Sequence, residues 1–184
     1  MVAGNADSAN HQDCEVPVTV TYRAAHADEM ERVYIMGYDA WGEGKLVEDY
    51  LDECRKSSKY RLGSWFVLNV RTALVASLIV YSFEDWGDSL VRGIGSVAAD
   101  PSFRKMGYGH QIVRSATNRL IERDGVRVIF LYSDIGSSFY EDVGYLPLST
   151  PYQKTSGSTL MARMHPALDE SLMEKYRDRI PKYF

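Results

Sequence analysis

The sequence is short of several features that would assign it a role by themselves. Cysteine is scarce: Cys14 and Cys54 are the two in 184 residues, and they lack the spacing of a metal or redox motif. They read as free thiols of a reducing cytoplasm. A basic excess is missing, since 21 Lys and Arg stand against 25 Asp and Glu, a net charge of −4. A general nucleic-acid binder carries the opposite balance. Long apolar runs are missing too. The longest, Ala73 to Tyr81, is interrupted by Ser77 and falls well short of the ~18 residues of a membrane span. The N-terminus has neither the basic nor the apolar region of a secretory signal. The expectation is a cytoplasmic protein with no nucleic-acid partner, no membrane and no bound metal.

What is present is an ordinary folding composition: 45% hydrophobic, 25% charged and 12% aromatic residues. A chain of this length makes one domain and buries roughly 70% of its unfolded surface, so it needs no staple. Residues 1–17, rich in Ala, Asn, Asp, Gly and Ser, read as a disordered leader with a solvated His11. The domain proper spans 18–165, and 166–184 forms a helical extension. Val18 to Arg23 alternates as a strand. Met30, Val33, Tyr34 and Gly37 give helical spacing over His26–Trp41, and Lys45–Ser58 resumes it after a break at Gly42 and Gly44. Three strands then follow at Trp65–Val70, Ala73–Tyr81 and Leu90–Ala99, the first two joined through Arg71-Thr72. Tyr108–Arg123 is a strongly amphipathic helix ended at Asp124-Gly125. Strands are predicted at Val126–Tyr132, Tyr145–Leu148 and Thr159–Met164, with helices at Ser137–Asp142 and Asp169–Arg179. Hairpins first and a strand–helix–strand unit later predict an α/β fold with one mixed sheet and helices on its faces.

One segment carries chemistry. Gly95 to Ala99 ends a strand, Asp100-Pro101 bends it, and Arg104-Lys105-Met106-Gly107-Tyr108-Gly109 opens the long helix. A helix start leaves several N–H groups unpaired, and its dipole favours negative charge. Glycines let a phosphate approach the backbone, and Arg104 and Lys105 add positive charge. The expected ligand is a pyrophosphate. Gly93-Ile94-Gly95-Ser96-Val97-Ala98 also fits a dinucleotide fingerprint, but that fingerprint needs a helix opening at its glycines, and here a strand continues.

A second segment, Leu131 to Tyr145, is a strand, a polar break, then Phe139-Tyr140-x-x-x-Gly144-Tyr145. The two segments together resemble the GNAT superfamily of acyl-CoA-dependent N-acyltransferases. Arg104, Gly107 and Gly109 match its R-x-x-G-x-G/A loop, Pro101 the proline before it, and Phe139, Tyr140, Gly144 and Tyr145 its later helix. The resemblance is specific over 90–146 and extends loosely, by element order, to 18–165. It implies a GNAT fold with acetyl-CoA as co-substrate. The backbone of Val97, Ala98 and Ala99 would hold the pantetheine arm. The amides of Lys105, Met106, Gly107, Tyr108, Gly109 and His110 would hold the pyrophosphate. Ser133 stands where many members have an asparagine; it is shorter, and Asp134 beside it is the alternative contact. Tyr140 matches the general acid that protonates the departing thiolate. An ordinary tyrosine, with a pKa near 10, is protonated and able to donate at neutral pH.

The proton acceptor is open at this point. Many members use a glutamate on the fourth strand, and Leu90–Ala99 has no carboxylate. Glu84, Asp85, Asp88 and Glu43 lie at nearby element ends, and Asp100 lies beside the loop. The run Leu131–Gly136 followed by Phe139-Tyr140 is similar to a stretch of fungal lysine N6-acetyltransferases, which makes lysine or a related amino acid one acceptor to test. Tyr38–Gly44, with Trp41, Asp39 and Glu43, is the segment that usually shapes the acceptor pocket. The expected activity is N-acetyl transfer to a small primary amine. A non-catalytic acyl-CoA sensor and a protein N-acetyltransferase are the alternatives. A homodimer, through a sheet edge or the last helix, is compatible with the pattern.

Overall fold

The computed structural model describes residues 18–164 and 170–184. The leader with His11 and Cys14, the boundary at 165/166 and Asp169 lie outside the described residues. Seven strands form one sheet: β1 (Val20–Ala24), β2 (Gly63–Val70), β3 (Ala73–Ser82), β4 (Val91–Ala99), β5 (Val128–Ser133), β6 (Leu146–Pro147) and β7 (Thr159–Met164). Their order is β1-β2-β3-β4-β5-β7-β6. The first four are antiparallel neighbours, β4 and β5 are parallel, and β7 pairs antiparallel with β5 and β6. The fold is therefore mixed α/β, built on one sheet. A parallel pair needs a long crossover, supplied by α5 (Tyr108–Glu122). The predicted turn at Arg71-Thr72 joins β2 to β3, with Arg71 at φ 55°.

Both sheet faces are covered, which is why the strands read as continuous apolar runs. On one face α5 lays Ile112, Val113, Ala116 and Leu120 against Leu78, Val80, Ile94, Ile129 and Leu131. On the other, Val128 and Phe130 pack with Trp86, Met173 and Ile180 from the chain's last segment. That segment is α7 (Glu170–Lys175) and a 3-10 turn, Arg177–Arg179, rather than one helix to Arg179. Its Met173 and Ile180 are spent on the protein's own core.

The predicted helix over His26–Trp41 is broken into a 3-10 turn, Ala27–Glu29, α1 (Met30–Ile35) and α2 (Tyr38–Trp41). Gly37 causes the break rather than extending the apolar stripe. A Cβ there would sit 2.0 Å from the Trp41 ring, so the missing side chain is the seat of Trp41. The next helix is α3 (Val47–Lys56), followed by a single turn, α4 (Ser58–Arg61), capped by Ser57, which accepts from Tyr60 N–H. Cys54, on α3, is buried, and burial pushes its thiol pKa up. Among the described residues no helix is long and apolar enough to cross a membrane.

Candidate active site

The site begins where two parallel strands part. β4 and β5 pair from Val91–Val128 to Ile94–Leu131 and no further. At that point β4 bulges: Gly95 faces Ile79 and Ala98 faces Ser77, so the register against β3 shifts, and Ser96 has φ 46°. A bulge bends and twists its strand. Here it leaves the β5-facing edge of Val97 to Ala99 without a strand partner. The Gly93–Ala98 fingerprint thus lies inside a strand, and no helix opens at its glycines.

The loop after β4 is shaped to receive an anion. Asp100 accepts from Ser102 N–H at 3.0 Å, fixing the 3-10 turn Pro101–Phe103. Lys105 (φ 62°) and Gly107 (φ 82°) are both left-handed, and Gly107 is the N-cap of α5. Left-handed residues at a helix start form a concave nest of N–H groups. Space above Gly107 is open, and a Cβ on Gly109 would meet only Phe139, at 3.5 Å. The His110 Nε2 is buried without a hydrogen-bond partner, and its ring is edge-on to Phe139 at 5.8 Å.

Two cavities flank the splayed strands. The first, about 430 Å³, is lined by Val97, Ala98, Ala99, Arg104, Lys105, Gly107, Tyr108, Gly109, His110 and Tyr140, with Phe103, Ile135 and Phe139. Ten of the sequence-predicted residues thus meet in one place. The second, about 570 Å³, is lined by Trp41, Lys59, Tyr60, Tyr132, Asp134, Tyr183 and Phe184 above Ile94 to Val97. Val97, Ile135 and Tyr140 belong to both. Both volumes are those of small-molecule sites.

Tyr140 stands at the junction because of how its helix ends. α6 (Ser138–Glu141) is a single turn closed by Tyr145 N–H to Tyr140 C=O at 3.2 Å and Gly144 N–H to Glu141 C=O at 2.8 Å. This is a Schellman ending with a left-handed glycine, and Gly144 has φ 86°. Tyr145 is fully buried, and its hydroxyl hydrogen-bonds Thr117 of α5 at 2.8 Å. Gly144 and Tyr145 are therefore the scaffold that fixes α6, and Tyr140 is the residue presented. Burial, with a contribution from Asp134, pushes the Tyr140 hydroxyl up to about 12. Its hydroxyl has no hydrogen-bond partner among the described residues.

Four predicted residues take places other than those expected. Arg104 does not aim at the nest: it chelates Asp39 of α2 and donates to Ala99 C=O and Met36 C=O, each at 3.2 Å. Its hydrogen bonds, and its charge behind them, hold the Asp39 carboxyl below its usual range, and it ties the loop to the helical layer. Met106 is 60% exposed and does not line the cavity. Ser133 is buried, and its hydroxyl donates to Gly136 C=O at 2.5 Å, closing the turn after β5. Asp134 faces the second cavity, not the first. The carboxylates considered as proton acceptors lie off both cavities. Glu84 pairs with Arg179 at 3.0 Å, Asp85 with Arg92 at 3.4 Å, Glu43 with Lys45 at 3.8 Å and Asp100 with Arg32 at 3.6 Å. Asp88 sits exposed in the turn before β4.

Lys59, Tyr60, Tyr183 and Phe184 line the second cavity and were not singled out by sequence reasoning. Nothing in their local pattern marks them; the fold brings them together.

Known proteins bear on this arrangement. The model of the acetyltransferase (GNAT) family matches residues 26–145, more than half of the chain. No curated protein matches the chain at a significant level. Among solved structures, PH1933 from Pyrococcus horikoshii is 18% identical, with 80% of this chain and 99% of that one covered and a TM-score of 0.60. Ard1 from Thermoplasma volcanium is 20% identical over 80% and 98%, with a TM-score of 0.56. A dodecameric spermidine N-acetyltransferase from Vibrio cholerae is 12% identical over 79% and 93%, with a TM-score of 0.57. At these identities the likeness is one of fold.

Proposed function

The chain belongs to the GNAT acetyltransferase family, and we propose that it transfers the acetyl group of acetyl-CoA directly to the primary amine of a small molecule. One observation carries this reading: a nest-bearing cavity and an aromatic cavity meet at Tyr140. Two substrates bound at once, one in each, would touch where that hydroxyl stands. The catalytic unit is residues 18–165, and the segment after it completes the second cavity.

The residues present fit acetyl-CoA. The amides from Lys105 to His110 suit its pyrophosphate, with the Lys105 ammonium, which makes no ion pair among the described residues, and the unpartnered His110 Nε2 beside them. The open edge of Val97 to Ala99 suits the amides of its pantetheine arm, as an added strand would. In the second cavity Asp134 attracts the ammonium form of the acceptor. An alkylammonium has a pKa near 10.4, so about one in 10³ is neutral at pH 7. Once its proton is lost to Asp134 or solvent, the nitrogen attacks the thioester carbon. The C–N bond forms and the C–S bond breaks; sulfur takes the Tyr140 proton, and the proton shed by the new amide nitrogen returns to the Tyr140 oxygen. Tyr140 is protonated throughout the physiological range. Its raised pKa does not disqualify it, because the desolvation acting on Tyr140 also raises the basicity of a thiolate formed in the same cleft. Among the described residues no cysteine or Ser–His pair lines either cavity, which favours direct transfer over an acyl-enzyme.

Thiol release from acetyl-CoA across a panel of amino acids, polyamines, aminoglycosides and peptide N-termini tests the reading. Release is expected with one amine class and is expected to vanish in Gly107→Trp, which fills the nest. Tight acetyl-CoA binding with no release from any amine would overturn it.

A further inference from the structure

The second cavity holds two opposite charges that do not pair with each other. Lys59 and Asp134 are the charged residues among its lining. Between them runs the Tyr183 side chain. Its ring lies under the Lys59 Nζ, 4.9 Å from the centroid, and its hydroxyl donates to Asp134 Oδ2 at 3.2 Å. Asp134 also accepts from Ser158 Oγ. Lys59 makes no ion pair among the described residues, although it is half-buried. Oppositely charged side chains free to move would close on each other. Here a tyrosine inserted lengthwise keeps them apart and leaves the ammonium with a ring face for a partner.

Tyr183 is itself held. The Tyr132 hydroxyl donates to Pro181 C=O at 3.0 Å, and the Tyr132 and Tyr183 rings are 5.1 Å apart. Phe184 packs on Phe83 at 4.9 Å and on Tyr81 at 5.3 Å. Trp41 and Tyr60 add further aromatic walls. The cavity is thus an apolar slot with a negative end and a positive end.

We propose that the acceptor is a zwitterion, an amine that also carries a carboxylate, bound with its ammonium at Asp134 and its carboxylate at Lys59, and that Tyr183 sets this selectivity by holding the two charges apart. The amine belongs at Asp134 because that end adjoins Tyr140, where transfer is placed. A linear polyamine fits poorly, since its second ammonium would face Lys59. Rejection by like charge is as effective a source of specificity as attraction. A simple alkylamine leaves Lys59 desolvated and unanswered.

This inference rests on the proposed transfer reaction, and matched acceptors separate the two. Lysine is compared with cadaverine, and 5-aminopentanoate with pentylamine; in each pair the partner differs by loss of the carboxylate. A charge-assisted contact to a partly desolvated ammonium gives roughly 10- to 100-fold in kcat/KM. The expected result is that preference for the carboxylate-bearing member in both pairs. It should collapse in Lys59→Met through acceptor KM, persist in Lys59→Arg and shrink in Tyr183→Ala, with acetyl-CoA Kd unchanged as the check on folding. Equal or better turnover of cadaverine and pentylamine by the unmutated enzyme would overturn the inference and leave the reaction standing. Absence of release with every amine would defeat the reaction and the inference together.

Discussion

At Gly107 the backbone is left-handed with open space above it, whereas Gly109 has no unusual φ and a Cβ there would make an ordinary contact with Phe139. The two glycines look alike in the sequence and differ in what the fold asks of them. Gly107 is needed for conformation, because a side chain in the left-handed region costs about 1–2 kcal/mol. Gly109 has room and ordinary backbone angles for a side chain, and in the proposed site its lack of one leaves space for acetyl-CoA. Gly109→Ala should therefore raise helix stability by roughly 0.5–1 kcal/mol while weakening acetyl-CoA binding. Paired denaturation and calorimetric titration would show the two effects moving in opposite directions; tighter binding would remove the glycine from the proposed site. Tyr140→Phe makes the complementary case. Its ring packing on Phe139 and Tyr145 is retained, so stability and acetyl-CoA affinity should hold. Loss of general acid catalysis should lower kcat by roughly 10²–10⁴-fold. Unchanged kcat would take the proton-donor role from Tyr140.

The elements that could be read from the sequence were those whose signal is periodic and long. β2 to β5 and α5 fall within two residues of expectation because buried strands and a one-sided helix impose runs and stripes that local sequence must show. The loop before α5 and the turn after α6 were legible for a different reason: left-handed glycines and a helix N-terminus are local geometry. What was illegible is long-range. The bulge at Ser96 leaves no mark in an apolar run, yet it opens the cleft. Which side of the strand end Asp134 faces depends on where β5 leaves β4. The return of the chain's last residues to the second cavity is written partly at Gly93, whose Cβ would come within 2.6 Å of both the Phe184 and Phe83 rings. The glycine that resembles a nucleotide fingerprint is the seat of the C-terminal segment. Gly93→Val overpacks that seat, at a cost of about 1–3 kcal/mol, and should raise acceptor KM without altering acetyl-CoA Kd. Phe184→Ala in the same chain removes one of the two clashes and leaves that with Phe83, so the double variant should regain part of the lost stability. Additive losses in that double-mutant cycle would mean the two residues are not coupled.

Taken as a whole molecule, the fold sets its own pH limits through groups that take no direct part in the proposed transfer. On the acid side, Glu29 ties the layer of α1 to the edge strand. It pairs with Arg23 of β1 at 2.6 Å and accepts from His26 N–H at 2.8 Å. The Arg23 guanidinium is the main cause holding its carboxyl at about 2, against an ordinary 4.5. A depressed carboxyl stabilises the fold fully above its unfolded value, and that contribution fades as pH falls from about 4.5 toward about 2. On the alkaline side, burial raises the hydroxyls of Tyr22, Tyr50, Tyr81 and Tyr145. Unfolded tyrosines ionise near pH 10 while the buried ones resist, so each costs on the order of 1.4 kcal/mol per pH unit above that point. Several acting together should make alkaline unfolding steep, whereas the acid loss from one exposed pair is shallow. Stability measured by denaturant from pH 2 to 11 should show a plateau between about 5 and 9 with unequal shoulders. Glu29→Gln should lower the plateau and flatten the acid shoulder, converging with the unmutated protein near pH 2. Tyr145→Phe should shift the plateau by the lost Thr117 hydrogen bond, about 1 kcal/mol, and reduce the alkaline slope. An alkaline slope unaffected by Tyr145→Phe would mean that local opening, rather than global unfolding, lets that tyrosine ionise.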